Sequence, residues 1–273
     1  NYAMGGANST ADGTIAIGRS SLSLLTSGLN LAVGFESGKT ITTGTQNTLL
    51  GYQAGLNINE GGRNTAVGHG AFGGSLDANG DESFDNTFIG FSSGSGNWVT
   101  AVSNKNTAVG AYSMQGAMNG ALQNTAVGYN SLNAVTQGDN NVALGINAGD
   151  SITTGTKNVC IGQNTDPSAV GATNQIVIGA TATGQADNSV TLGNADVTDV
   201  YMAQDSGAKI HALSAEFNAG HTAGASIKFI ADASSSNVTI DSSDTNSATF
   251  LMHNSAGTET IRMNSHGGSI TCD

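Results

Sequence analysis

Few residues of this sequence are spaced for chemistry, and each such group lacks a part. The stretch GFESGKT (34–40) looks like a phosphate-cradling loop, in which a lysine and successive backbone N–H groups hold an anion. That loop needs four residues between its glycines, and here there are three. No helix is predicted to follow and offer its N-terminus. In DANGDESFD (77–85), Asp77, Asn79, Asp81, Ser83 and Asp85 stand at alternate positions, as calcium ligands do. Its glycine arrives at the fourth position instead of the sixth, and Phe88 stands where a bidentate glutamate would close the site. Asp77, Asn79, Asp81 and Asp85 are therefore calcium candidates at most, and a solvated loop tip is the plainer reading. His69, His211, His221, His253 and His266 form no i, i+4 pair. A symmetric assembly could still gather copies of one of them, or of Cys160, on its axis; for Cys160 plain packing is the expected role.

Catalytic patterns are missing as well. There is no nucleophile elbow and no HExxH. The carboxylate pairs Asp196/Asp199 and Asp241/Asp244 sit in turn-like contexts. The expectation is a protein that is not an enzyme, with no catalytic residues, no cofactor and no metal. A site assembled between chains, such as that of a glycan-degrading spike, would escape this reading. One binding group is left: Trp98, the sole tryptophan, with Phe84 and Phe91 near it in Gly/Ser-rich sequence. Aromatic rings in such loops can stack on sugars. These three are the candidate glycan contacts, and the competing reading packs Trp98 on the main body through an outer strand.

Composition narrows the class. Glycine makes up 39 of 273 residues, against a usual ~7%, and charged residues only 10%, against a usual ~25%. Apolar residues reach 38% and recur at regular places, so the chain is not read as disordered. The net charge of -12, with eight Lys and Arg in all, excludes nucleic acid, whose binding needs clustered cations. Cys160 and Cys272 are the only cysteines and imply neither a disulfide framework nor a zinc site. No apolar run approaches the ~20 residues of a membrane-spanning helix, so membrane insertion is not expected. The N-terminus NYAMGGANST lacks both a signal pattern and an initiator Met, which suggests a piece of a longer protein.

What must position these residues is a repeated phrase. RNTAVGHG (63–70), KNTAVGAY (105–112) and QNTAVGYN (123–130) are its clearest copies. Aligned on the closing glycine, eleven copies place Gly18, Gly34, Gly51, Gly68, Gly90, Gly110, Gly128, Gly145, Gly162, Gly179 and Gly193 in one column, at spacings of 14 to 22. A short fixed period is the mark of a solenoid. One residue before the glycine every copy is aliphatic, and three before it every copy is Thr, Val, Ile or Leu. Between them stands a small residue in most copies, Ala126 or Cys160 for example. Alternation with β-branched residues predicts a short strand. The larger columns are expected to fill a thin core. The small column is expected to pack closely, against another coil wall or another chain.

Asn precedes the strand in eight copies and is expected to turn the corner, with stacked Asn able to ladder. The closing glycine supplies the opposite corner. A second, outer strand is expected in stretches such as TITTG (40–44) and SITTG (151–155). Each repeat is then one flattened coil, and coils stack at roughly 4.8 Å. The long spacings at residues 73–86 and 94–106 predict surface loops. So thin a coil has little core of its own, and oligomerisation is the expected remedy.

The phrase NTAVGYNSL (124–132) and the stretch IVIGATATGQADNSVTLG (176–193) resemble the repeat of YadA-type trimeric adhesin heads. The longer copies and NSVTLGNADVTDVYMAQDSGAKIHA (188–212) are similar to bacteriophage tail fibre proteins. The resemblance covers residues 14–212. It implies a left-handed parallel β-roll, a homotrimer, and a stem that often leads to a self-cleaving chaperone domain, which this sequence does not include. It implies the shaft of a viral tail fibre that attaches to a bacterial host, located on the virion tail. The partners would be other tail or fibre proteins and a host surface glycan or protein. A bacterial trimeric surface adhesin on the outer surface is the alternative, and a glycan-degrading tailspike the second.

The expected organisation is a lead-in over 1–13, the all-β roll of about eleven coils over 14–195, and a β-rich stem over 196–273. In the last region short alternating runs, SATFLMH (247–253) and ETIRM (259–263) among them, lie between Gly, Asn, Ser and Asp clusters. They predict a β-meander or a triple-stranded β-prism.

Overall fold

The computed structural model describes residues 12–74, 82–98, 101–201, 249–253 and 259–264. The fold is all-β: eleven parallel strands stack into a β-solenoid, with no helix among the described residues. The strands are β1 (Ile15–Ile17), β2 (Leu31–Val33), β3 (Thr48–Leu50), β4 (Thr65–Val67), β5 (Thr87–Ile89), β6 (Thr107–Val109), β7 (Thr125–Val127), β8 (Val142–Leu144), β9 (Val159–Ile161), β10 (Ile176–Ile178) and β11 (Val190–Leu192). Each pairs in register with the next, so Val67, Ile89, Val109 and Val127 form one column. The chain divides into two compact units, Asn1–Tyr201 and Met202–Asp273. In the second, β12 (Thr249–His253) and β13 (Glu259–Asn264) form an antiparallel pair with an irregularity at Met252/His253. They coincide with two of the runs read as strands; the other runs past Tyr201 lie outside the described residues.

Two corners make each coil. Before the strand, the buried Asn residues form a continuous ladder. Asn124 Oδ1 accepts from the backbone N–H of Asn141 (2.9 Å) and from its side-chain Nδ2 (3.0 Å), while Asn124 Nδ2 donates to the Gly138 carbonyl (2.7 Å). The same pattern repeats along the stack, and Gln175 takes the place of Asn in the tenth coil, its N–H donating to Asn158 Oδ1. The left-handed residue at this corner is not the Asn but the one before it, such as Gln123 (φ 60°) or Lys105 (φ 60°). A non-Gly residue in that conformation costs about 1–2 kcal/mol, which the ladder's buried hydrogen bonds offset. After the strand, Gly128 adopts φ 138°, and a Cβ there would collide with the Gly145 carbonyl of the next coil.

The outer wall differs from expectation. TITTG and SITTG form turns, not a second strand, closed by local bonds such as Ile41 N–H to Gly38 O (3.1 Å) and Ile152 N–H to Gly149 O (3.1 Å). Bonds between coils run along this wall too, for example Gly38 N–H to Ala54 O (2.9 Å). Glycines in left-handed backbone at these turns (Gly38 φ 59°, Gly149 φ 61°) interrupt any extended run.

The core also inverts the reading of the strand. Ala126 and its column mates Ala32, Leu49, Ala66, Phe88, Ala108, Ala143, Cys160 and Val177 are fully buried, whereas Thr125 and Val127 face outward. Interior space is already taken by large side chains from the turn wall, Leu22, Leu25, Ile41, Ile58, Met114, Met118, Leu132, Val135 and Ile152. Small residues on the strand wall leave them room. Two large strand residues have a glycine beside them: a Cβ on Gly94 would strike the Phe88 ring, and one on Gly55 the Leu49 side chain. Close packing fixes this large-against-small alternation.

Candidate interaction face

The outward sides of β1 to β11 make one continuous face. Its two central columns run Ile15, Leu31, Thr48, Thr65, Thr87, Thr107, Thr125, Val142, Val159, Ile176, Val190 and Ile17, Val33, Leu50, Val67, Ile89, Val109, Val127, Leu144, Ile161, Ile178, Leu192. Strand alternation, with the middle residue committed to the core, forces both columns out. Many of these aliphatic groups are exposed, among them Ile17 (59%) and Leu144 (48%). The third to seventh coils carry Thr in the first column, and the coils on either side of them are aliphatic in both.

A third column follows the closing glycine and carries a rank of rings. Arg19 Cζ lies 4.5 Å from the Phe35 ring centre; Phe35, Tyr52, His69 and Phe91 then stack nearly parallel at 5.1, 4.7 and 5.2 Å. In the sixth coil this position is Ala111, and Tyr112 from the next position spans the gap edge-on to both Phe91 (5.3 Å) and Tyr129 (5.7 Å). A fourth column, just before each buried Asn, is polar in most coils: Gln46, Arg63, Asp85, Lys105, Gln123, Asn140, Lys157 and Asn174, with Leu29 at its start. The sequence reading missed the aromatic rank because its members are scattered among Phe, Tyr and His. The signal that could have found it is their shared place one or two residues after the repeat glycine.

The predicted site residues fall elsewhere than expected. Trp98 is fully buried, so it is a core residue and not a sugar platform. It clusters with Phe72 (4.7 Å) and Phe88 (5.6 Å), and no acceptor among the described residues reaches its Nε1. The long repeat thus feeds an indole into the interior, where a turn residue of other coils would sit. Phe84 is half-buried with the Arg63 guanidinium 5.3 Å from its ring. Phe91 alone of the three is exposed, within the rank.

Asp77, Asn79 and Asp81 lie outside the described residues. Asp85 gives both carboxylate oxygens to Arg63 (2.6 and 3.1 Å), and that hydrogen-bonded guanidinium holds its pKa below the ordinary value. Among the described residues no group of three or more His, Cys, Asp or Glu could hold a metal. Lys39 of the GFESGKT stretch pairs with Glu36 (2.8 Å), and turns follow it in place of a helix. Cys160 is buried in the core wall, which pushes its thiol up to about 12 and keeps it protonated and inert. His69 is in the rank; His253 is in β12; His211, His221, His266 and Cys272 lie outside the described residues. Asp150 and Asp166 form a carboxylate pair on the turn wall, where Ser151 donates to Asp166 Oδ1 (2.7 Å). Burial, then repulsion from Asp166, raises the Asp150 pKa.

Comparison with protein-family models, with curated proteins and with solved structures finds no match in any of the three. The arrangement therefore speaks through its own chemistry. It is a long face, apolar in the middle and unlike at its two edges, with no converging nucleophile, acid and base among the described residues.

Proposed function

We propose that this chain is a shaft section of a fibre-type structural protein, a trimeric viral tail fibre that holds a host-attachment region away from the particle on the virion tail. The observation that carries the proposal is the exposed apolar face running the full length of the solenoid. Eleven coils at roughly 4.8 Å span about 50 Å, and four columns two residues apart span about 20 Å. The face then amounts to on the order of 1,000 Å², comparable with the ~800 Å² that a partner contributes to a standard stable interface. Apolar patches beyond a few hundred Å² on soluble chains mark interaction sites. A rod with a self-complementary face gains length by repetition and stiffness by association, and both serve a shaft. The Asn ladder and the glycine column repeat regardless of what the fibre recognises, so recognition of a host glycan or protein belongs outside the regular coils. The same roll serves a bacterial surface adhesin, and the full reading frame separates the two: a signal peptide and membrane-anchor β-barrel, or a baseplate-attachment segment and chaperone domain.

Sedimentation equilibrium tests the assembly. The expected mass is three times 27.2 kDa. The pair Val67→Asp with Val127→Asp, which places charge on the outward face only, is expected to leave β circular dichroism intact and release monomers. A wild-type chain that stays monomeric at micromolar concentration sinks the proposal.

A further inference from the structure

Among the described residues the eleventh coil has its strand but only the start of a turn wall. That start is a single turn over 194–197, where the Val197 N–H donates to the Asn194 carbonyl (3.2 Å). A cavity of about 450 Å³ opens there, between β11 and the turns of the tenth coil, within the ~300–1,000 Å³ of small-molecule sites. We propose that it binds a neutral saccharide of one or two pyranose rings, held by Thr181, Thr183, Gln185 and Thr191. The inference rests on the host-attachment reading above only for where such a saccharide would come from; the site itself is argued from its lining.

The hydrogen-bonding groups of this lining are left over because the stack stops. In regular coils, turn-wall threonines commit their hydroxyls to the coil above: Thr26 Oγ1 donates to Thr42 O (2.8 Å), Thr40 Oγ1 to Leu56 O (2.8 Å) and Thr136 Oγ1 to Thr153 O (3.2 Å). The Thr183 and Thr191 hydroxyls have no partner among the described residues. Gln185 Nε2 donates to Thr183 O (3.0 Å), and its Oε1 stays open to a donor. Asn194 acts as a brace. Its Nδ2 donates to Thr181 Oγ1 (3.0 Å) and to Ala180 O (3.2 Å), and its Oδ1 accepts from the Asp196 N–H (3.0 Å). The Thr181 oxygen is then an acceptor already in use, and its O–H remains to donate.

The strand column supplies a second, independent sign. The inward middle residue of every other strand in the solenoid is Ala, Leu, Phe, Cys or Val; in β11 it is Thr191, paired with Val177 and only half-buried. Hydroxyls and an amide beside threonine methyls and Ala195 suit a pyranose, which carries hydroxyls on its rim and C–H groups on its faces. An added peptide strand would instead continue an apolar inward column, and these polar groups would oppose it. No ionisable side chain lines the cavity. Asp187, Asp196 and Asp199 flank the segment in sequence on a chain of net charge -12, which disfavours anionic sugars and phosphates.

Saturation-transfer NMR on the full chain tests the site, with maltose, cellobiose, lactose and chitobiose as neutral probes and glucuronic acid and sialyllactose as acidic ones. The expected result is transfer to at least one neutral probe at millimolar concentration and none to the acidic pair. Thr183→Val and Thr191→Val keep the side-chain volume and remove one hydroxyl each, and each is expected to weaken binding about fivefold, as for one lost hydrogen bond. Thr183→Ser is expected to bind as wild type does. Unchanged circular dichroism checks that the variants fold, and Val at 191 repeats the residue already present at Val177. No transfer to any neutral probe, undiminished binding by both valine variants, or equal transfer to the acidic probes would overturn the inference. Sedimentation tests the shaft without reference to saccharide, so the two readings fail separately.

Discussion

On the inward side of β7, Ala126 is fully buried in one core cluster with Leu132 and Val135, whereas on the outward side Val127 keeps 36% of its surface exposed. The same contrast holds along the stack, and it inverts the usual rule that the larger apolar residue points in. The difference teaches that a thin coil has two walls competing for one interior. Turn residues reach inward with Leu, Ile, Met and Trp, so the strand answers mostly with Ala or Cys, and the large Leu49 and Phe88 lie against glycines. Its branched side chains are then left for the outside, where Ile17, Leu144 and Val127 stay exposed.

The largest effect that would test this division is in the core of the long repeats. Trp98→Ala removes the ring that closes the Phe72 and Phe88 cluster, and a loss of roughly 3–5 kcal/mol is expected in denaturant unfolding. A loss below about 1 kcal/mol would place the indole on the surface after all.

A smaller and sharper contrast comes from adjacent positions. Ala126→Leu overfills the wall and is expected to cost about 1–3 kcal/mol. Val127→Ser is expected to stay within about 0.5 kcal/mol for the single chain, while making the thermal midpoint less dependent on protein concentration as association weakens. Equal effects at the two positions would erase the distinction between the walls.

The smallest expected effect belongs to the turn wall. The Asp150 pKa is raised in the folded chain, by burial first and the neighbouring Asp166 second, while Asn130 Nδ2 opposes this weakly at 3.4 Å. A raised carboxylate pKa means that the protonated form favours folding. This contribution is fully present below the ordinary Asp value of ~3.9 and is lost as pH rises through the raised folded value. Asp150→Asn should therefore flatten that acid-range slope and leave stability at neutral pH unchanged or slightly higher. An unaltered slope between wild type and variant, followed by thermal melts across pH, would show that folding does not raise the Asp150 pKa.

How much was legible beforehand varies by column. The coil count, the strand positions, the glycine corner and the Asn ladder are readable because each depends on one residue type repeating at one place, and those residues answer to local backbone geometry. The face of each strand was not. Thr125, Ala126 and Val127 are all compatible with burial, and alternation says that two faces exist without saying which is inside. Nor could spacing place Trp98, since an insertion can loop outward or feed the core with the same letters.

The sequence by itself therefore determined a parallel stack of short strands, because glycine and asparagine corners permit few other paths and in-register repetition pairs each strand with its successor. The tertiary structure decided which wall of the coil is the core, because that depends on volumes contributed by residues six to ten positions away. It also decided that Phe35, Tyr52, His69, Phe91, Tyr112 and Tyr129 form one rank, because only stacking at about 5 Å brings residues up to 22 positions apart into contact.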